Sequence, residues 1–164
     1  MALVEPPGKN VVQILIGSSS DEEIVRSSKM SDTLRDIGIE VRGAAYSAHR
    51  NADELTVFVR EHCADVDVFI AVAGMAAALP GAIAAITRAS KLVIAVPLDE
   101  DGIDSCLYMP PGVPVALAGV GKAGLKNAAL IAAQVLGIGD LETRNQLVVY
   151  ISRNTKPPKD NIQL

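Results

Sequence analysis

Three short apolar runs set the narrowest limits on this chain: VVQILIG (11–17), VDVFIAVAG (66–74) and KLVIAVPL (91–98). Each is long enough for a strand and too short for a helix. Their branched residues do not alternate with polar ones, which is the pattern of strands buried on both faces. Such strands belong to parallel sheets, whose crossovers lay helices over both sides. The segments between the runs answer that need. In IVRSSKMSDTLRDIG (24–38), Ile24, Met30, Leu34 and Ile37 fall at helical spacing, and AAALPGAIAAITRA (76–89) is an Ala-rich helix with Pro80 suited to its first turn. The expected fold class is α/β, a three-layer α/β/α sandwich on a doubly wound parallel sheet.

The remaining elements follow from the same rules. The first helix is expected to run unbroken from the serines to a stop at Gly38, with Ser19/Glu22 and Ser20/Glu23 both at capping-box spacing. IEVRGAAYS (39–47) reads as the second strand and NADELTVFVREHC (51–63) as a helix capped by the Asn51 side chain. DEDGIDSCLYMPPG (99–112) is too rich in Gly, Pro and Asp for one regular element. VPVALAGVG (113–121) is expected as a fifth strand, KAGLKNAALIAAQVLG (122–137) as a helix ending at Gly137, and DLETRNQLVVYISRN as a terminal helix. Residues 1–10 read as a flexible leader without the marks of a signal peptide, 11–154 as one domain, and 155–164 as a C-terminal tail.

Several classes of function are excluded by bulk properties. The 164 residues carry a net charge of −4 with lysine and arginine scattered, and aromatics make up 3%, so neither an electrostatic nor a stacking platform for nucleic acid is present. No apolar run approaches the roughly 18 residues of a membrane span. Two cysteines, Cys63 and Cys106, make no disulfide framework and point to a reducing cytoplasm. His62 and Cys63 occupy consecutive helix positions, which face different ways and cannot clasp one metal ion. Cys106 reads as a small buried hydrophobe. Large Ala/Val/Leu faces are expected to be covered by self-association.

In doubly wound sheets ligands collect at the carboxyl ends of the strands. Three loops there carry chemistry. Gly17-Ser-Ser-Ser-Asp21 offers close backbone approach, helix amides and hydroxyl donors, a set that suits a phosphate and equally an ordinary capped helix. Ser47-Ala-His-Arg50 brings an arginine for an anion and the only histidine at a strand end, His49, whose imidazole can both give and take a proton. The third, AGMAAALPG (73–81), has no side chain able to donate, accept or ionise. Its glycines let backbone pass close to a flat ring, so it can serve as a wall, or simply as the tight start of a helix.

Taken together and in this order, the loops resemble the N5-carboxyaminoimidazole ribonucleotide mutase family, also known as the catalytic subunit of phosphoribosylaminoimidazole carboxylase. GSSSD resembles the family's G-S-x-S-D, SAHR matches outright, AGMAAALPG is similar to A-G-x-A-A-H-L-P-G, and MPPGVPVA with GKAGLKNAALIAAQVL matches the later motifs, so the likeness spans residues 11–137. The resemblance implies a flavodoxin-like sheet, a homo-octamer with sites at subunit boundaries, a ribonucleotide substrate, and no metal or organic cofactor. It implies that Ser18, Ser20, Ser47 and Arg50 hold the ribose phosphate and Asp21 the ribose hydroxyls. Backbone around Ala73, Gly74, Met75 and Leu79 would hold the imidazole, with His49 as the acid/base.

The chain departs from that family at three places. Ala78 stands where the pattern has histidine, the connection over 101–110 is shorter, and Asn51-Ala52 replaces Thr-Pro. Three readings follow: a mutase or direct carboxylase relying on His49 alone, a paralogue acting on another heterocyclic nucleotide, or a silent ribonucleotide-binding subunit.

Overall fold

The computed structural model describes residues 10–155. The leader expected over 1–10 and the tail expected over 155–164 therefore lie outside the described residues, apart from Asn10 and Thr155. Asn10 is not a loose end: its Nδ2 donates to Asp140 Oδ2 at 2.8 Å and to Thr143 Oγ1 at 3.0 Å, tying the first strand to the last helix.

The strands are β1 (Val11–Ile16), β2 (Glu40–Ala45), β3 (Val68–Ala73), β4 (Leu92–Pro97) and the short β5 (Ala116–Leu117). They form one sheet in the order β2-β1-β3-β4-β5, parallel throughout. This is the flavodoxin-like order, and its direction of winding reverses between β1 and β3. The helices are α1 (Glu22–Ser27), α2 (Met30–Asp36), α3 (Ala52–His62), α4 (Leu79–Ile86), α5 (Ile103–Leu107), α6 (Gly121–Gly139) and α7 (Leu141–Asn154).

Strand β3 shows why the apolar runs lack alternation. Val68, Ile70 and Val72 enter one core with Met30 and Leu34 of α2, Leu125 and Ala129 of α6, and Leu147 of α7. Phe69, Ala71 and Ala73 enter the other with Leu55 and Val59 of α3, Leu79 and Ile83 of α4, and Cys106 of α5. Every residue of β3 is buried, so both side-chain directions must be apolar. Each large side chain so buried contributes about 1.5–3 kcal/mol. The result is the expected three-layer α/β/α sandwich.

The structure corrects several element boundaries. The first helix is not continuous. A 3-10 turn at Ser19–Asp21 leads into α1, and Lys29 at φ 61° separates α1 from α2. Buried Ser28 accounts for the break: its Oγ donates back to Val25 O at 2.6 Å and accepts from Met30 N at 3.2 Å, ending one helix and starting the next. The capping boxes do not form. Ser18 caps the 3-10 turn instead, and Glu22 pairs with Arg26.

The Asn51 side chain does not cap α3. Its Oδ1 turns back to accept from Ser47 N at 2.6 Å. Helix α4 starts at Leu79 and not Ala76, with Pro80 in its first turn as expected. The 99–112 connection contains a 3-10 turn (Glu100–Gly102) and α5. The fifth strand shrinks to two residues. Helix α6 runs through Gly137 to Gly139, because Gly137 is a packing position: a Cβ there would meet the Arg144 backbone at 3.2 Å.

Candidate functional site

The loops after β1, β2, β3 and β4 converge on one cavity of about 380 Å³, beside the point where the winding reverses. Every residue named from the sequence for the site lines it: Ser18, Ser20, Asp21, Ser47, His49, Arg50, Ala73, Gly74, Met75, Ala78 and Leu79. The volume suits a small organic ligand.

The first wall is polar. Ser20 Oγ lies 2.8 Å from Ser18 Oγ and 3.3 Å from Asp21 Oδ1, so hydroxyls and a carboxylate sit side by side at the end of β1. Across from them the β2 loop is a tight turn built by its own serine. Ser47 Oγ accepts from both His49 N and Arg50 N at 3.3 Å, while Asn51 holds the Ser47 amide from below. That turn projects His49 and Arg50, both exposed. Arg50 Nη2 donates to Gly17 O at 3.3 Å and forms no ion pair among the described residues, so the guanidinium retains donors for an anion.

The second wall is the featureless segment 73–81, and its backbone is unusual. Met75 at φ 55° and Ala77 at φ 35° are left-handed without being glycine, at a cost on the order of 1 kcal/mol each. Two attachments hold them. The Asp99 carboxylate accepts from Met75 N at 2.9 and 3.2 Å, and Ala77 N donates to Gly74 O at 3.2 Å. Ala77 is buried while Met75 is 77% exposed at the cavity rim. Ala78 occupies the cap position of α4 and offers no side-chain acceptor to that helix's first amides.

Asp99 and its neighbour Leu98 also line the cavity, and both lie outside the three loops that the sequence singles out. A signal existed for Asp99. It lies at the carboxyl end of β4 and begins D-E-D-G, an aspartate-initiated turn, yet the Gly/Pro/Asp richness of 99–112 masked it. His62 and Cys106 are structural. The His62 ring stacks on Phe58 with centroids 4.2 Å apart, and its Nδ1 lies 2.9 Å from Phe58 O. Burial pushes the Cys106 thiol up, away from the reactive thiolate. Among the described residues no three His, Cys, Asp or Glu side chains gather as a metal site would require. No described helix is long and apolar enough to cross a membrane.

Comparison with known proteins shows what the chain as a whole is similar to. A family model described as AIR carboxylase matches residues 11–156. A Methanocaldococcus jannaschii protein named N5-carboxyaminoimidazole ribonucleotide mutase is 38% identical over 151 residues, covering 89% of this chain and 91% of its own length. A Mycobacterium leprae protein of the same name is 40% identical over 147 residues, covering 87% and 84%. Among solved structures, Treponema denticola PurE matches with a TM-score of 0.78 at 32% identity, covering 89% of this chain and 92% of that one.

Proposed function

This chain belongs to the AIR carboxylase family, and from that membership we propose that it interconverts N5-carboxyaminoimidazole ribonucleotide and 4-carboxy-5-aminoimidazole ribonucleotide in purine biosynthesis. The observation that carries the reading is the single cavity in which Ser18, Ser20, Asp21, Ser47, His49 and Arg50 meet the close-approach backbone of 73–79. On this reading Ser18, Ser20, Ser47 and Arg50 take the ribose phosphate, and Asp21 accepts from the ribose hydroxyls. The backbone at Ala73, Gly74, Met75 and Leu79 lies against the imidazole ring, with Ala78 beside it.

The chemistry then needs one proton donor and acceptor. The bond from the exocyclic nitrogen to the carboxyl carbon breaks, releasing carbon dioxide, and His49 gives that nitrogen a proton. The ring carbon attacks the retained carbon dioxide, forming a carbon–carbon bond, and its proton passes back to His49. The cycle leaves the imidazole as it began, so one residue serves both directions. Keeping both fragments in one small cavity supplies effective concentration. Helix α4 begins at the cavity with Ala78 and Leu79 in its lining, which puts the positive end of its dipole on the ring side of the proposed site.

A second reading is favoured by the description of the matching family model, AIR carboxylase: carboxylation of the aminoimidazole ribonucleotide directly by carbon dioxide. Assaying turnover with each carboxyl donor separates the two. In either case His49→Asn is expected to lower turnover by at least about 100-fold while leaving the assembly unchanged. Activity near wild type in that variant would remove His49 from the mechanism. Tight binding of the ribonucleotide by wild-type protein without turnover from either donor would instead mark a silent binding subunit. The working form is a homo-octamer in the cytoplasm, a reading supported by the apolar surface of α6 and α7 and by two free cysteines. One domain over 11–154 carries the activity.

A further inference from the structure

Asp99 belongs to neither the phosphate side of the cavity nor the ring wall, yet it joins two of the loops that form the site. Its carboxylate accepts from Met75 N at 2.9 and 3.2 Å and from Gly102 N at 3.2 Å, so one side chain clasps the loop after β3 and the turn after β4. The packing around it is tight. A Cβ on Gly74 would come within 2.8 Å of Asp99 Oδ2, and its next nearest neighbour, Leu98 Cβ, would be 3.9 Å away. A Cβ on Gly102 would stand 2.9 Å from Ala77 Cβ and 3.0 Å from Met75 O. The turn after β4 is thus pressed against the back of the loop whose left-handed residues, Met75 and Ala77, give it its shape.

We infer that Asp99 is the positioning residue that holds segment 74–78 as the ring-facing wall, acting through the Met75 amide. The inference rests on the proposed function for what the wall contacts, but not for the clasp. Without the carboxylate, Met75 N loses its partner, and of the two attachments only the Ala77 N to Gly74 O bond is left to hold the left-handed residues against relaxation toward ordinary backbone. The loops after β1 and β2, which carry Ser18, Ser47 and Arg50, make no hydrogen bond to the Asp99 side chain among the described residues and keep their own turns. Loss of Asp99 therefore separates the two halves of the ligand: the sugar phosphate stays anchored while the heterocycle loses its seat.

The test uses full-length wild type, Asp99→Ala, the near-isosteric Asp99→Asn, Gly74→Ala, and the Gly74→Ala/Asp99→Ala pair. Amide hydrogen exchange at Met75 and Gly102 is expected to quicken about tenfold or more in Asp99→Ala, with Asp99→Asn between it and wild type. Calorimetric affinity for ribose 5-phosphate should change less than about twofold, while that for the aminoimidazole ribonucleotide weakens about tenfold, with KM rising in step. Gly74→Ala should reproduce the loss in the wild-type background and add less than about twofold in Asp99→Ala, where the obstructing oxygen is gone.

Unchanged exchange at Met75 would overturn the clasp. Equal weakening of ribose 5-phosphate and ribonucleotide would overturn its selectivity for the ring wall, and additive effects of the two substitutions would place the Gly74 contact elsewhere and overturn the close fit. Wild-type protein that neither binds nor converts the ribonucleotide would sink the proposed function instead. That result is recognisable because the exchange difference between wild type and Asp99→Ala would persist.

Discussion

His49 reaches the cavity because of what Ser47 does to the backbone. The serine oxygen gathers the amides of His49 and Arg50, and Asn51 fixes the serine amide in turn, so one small turn sets the direction of both functional side chains. The proposed reaction relies on that arrangement, since segment 73–81, with Ala78, brings no ionisable side chain of its own to the opposite wall. Introducing an imidazole there, Ala78→His, tests whether proton handling is limiting. If it is, turnover of the carboxyamino ribonucleotide rises by about 10-fold, within the range of one added acid/base group. No change, or loss, would mean that the alanine belongs to a different specificity. The position is half-buried at the start of α4, where a larger side chain can still point to the cavity.

Among the elements, the strands and α4 were legible and the breaks between helices were not. The runs at 11–17, 66–74 and 91–98 could be recognised because full burial on both faces leaves a run with no polar alternation. The kink at Lys29 could not, because it depends on which way a buried serine hydroxyl points, and Ser28 reads in sequence like any helix-surface serine. Fifth-strand length was overestimated for a related reason. Val113 and Val115 carry strand composition but pack as irregular backbone against the α3–α5 core. The polar half of the site was legible from side-chain chemistry. Asp99 was not, because its work is done on a main-chain amide.

Helix α7 is capped by Asp140, whose carboxyl is held below the ordinary aspartate value of 3.8, chiefly by the Thr143 hydroxyl and then by the Glu142 and Thr143 amides and Asn10. A depressed folded value adds stability above the unfolded one and loses it as pH falls through the folded one. Asp140→Asn is therefore expected to lower the denaturation midpoint at neutral pH, and by less at about pH 3, below the ordinary value of 3.8. Urea unfolding at the two pH values checks this, and a gap that fails to narrow in acid would refute it.

At the scale of the whole molecule, apolar surface is distributed unevenly. Ile138, Leu141 and Val148 are 75%, 65% and 62% exposed along α6 and α7, with Val149 and Ile151 less so, although α6 is buried along its other face. Exposed apolar side chains in this number on one helix pair fit the proposed assembly, which would cover them. Light scattering should return a mass several times the 17.1 kDa of one chain, with eight copies the proposed number. Leu141→Asp with Val148→Asp should reduce that mass without unfolding the chain, as circular dichroism would register. A wild-type mass of a single chain would remove the assembly from the reading.

The reversal of winding between β1 and β3 divides the cavity by origin: the hydroxyls and Arg50 come from the β1 and β2 side, and the side-chain-poor backbone from the β3 and β4 side. Each half can drift without dragging the other along. A lineage could retool which aromatic nucleus it accepts by rewriting one stretch of fewer than about ten residues, keeping its handle on the sugar intact. Grafting a relative's 73–81 stretch onto this scaffold would be the laboratory counterpart of that evolutionary step.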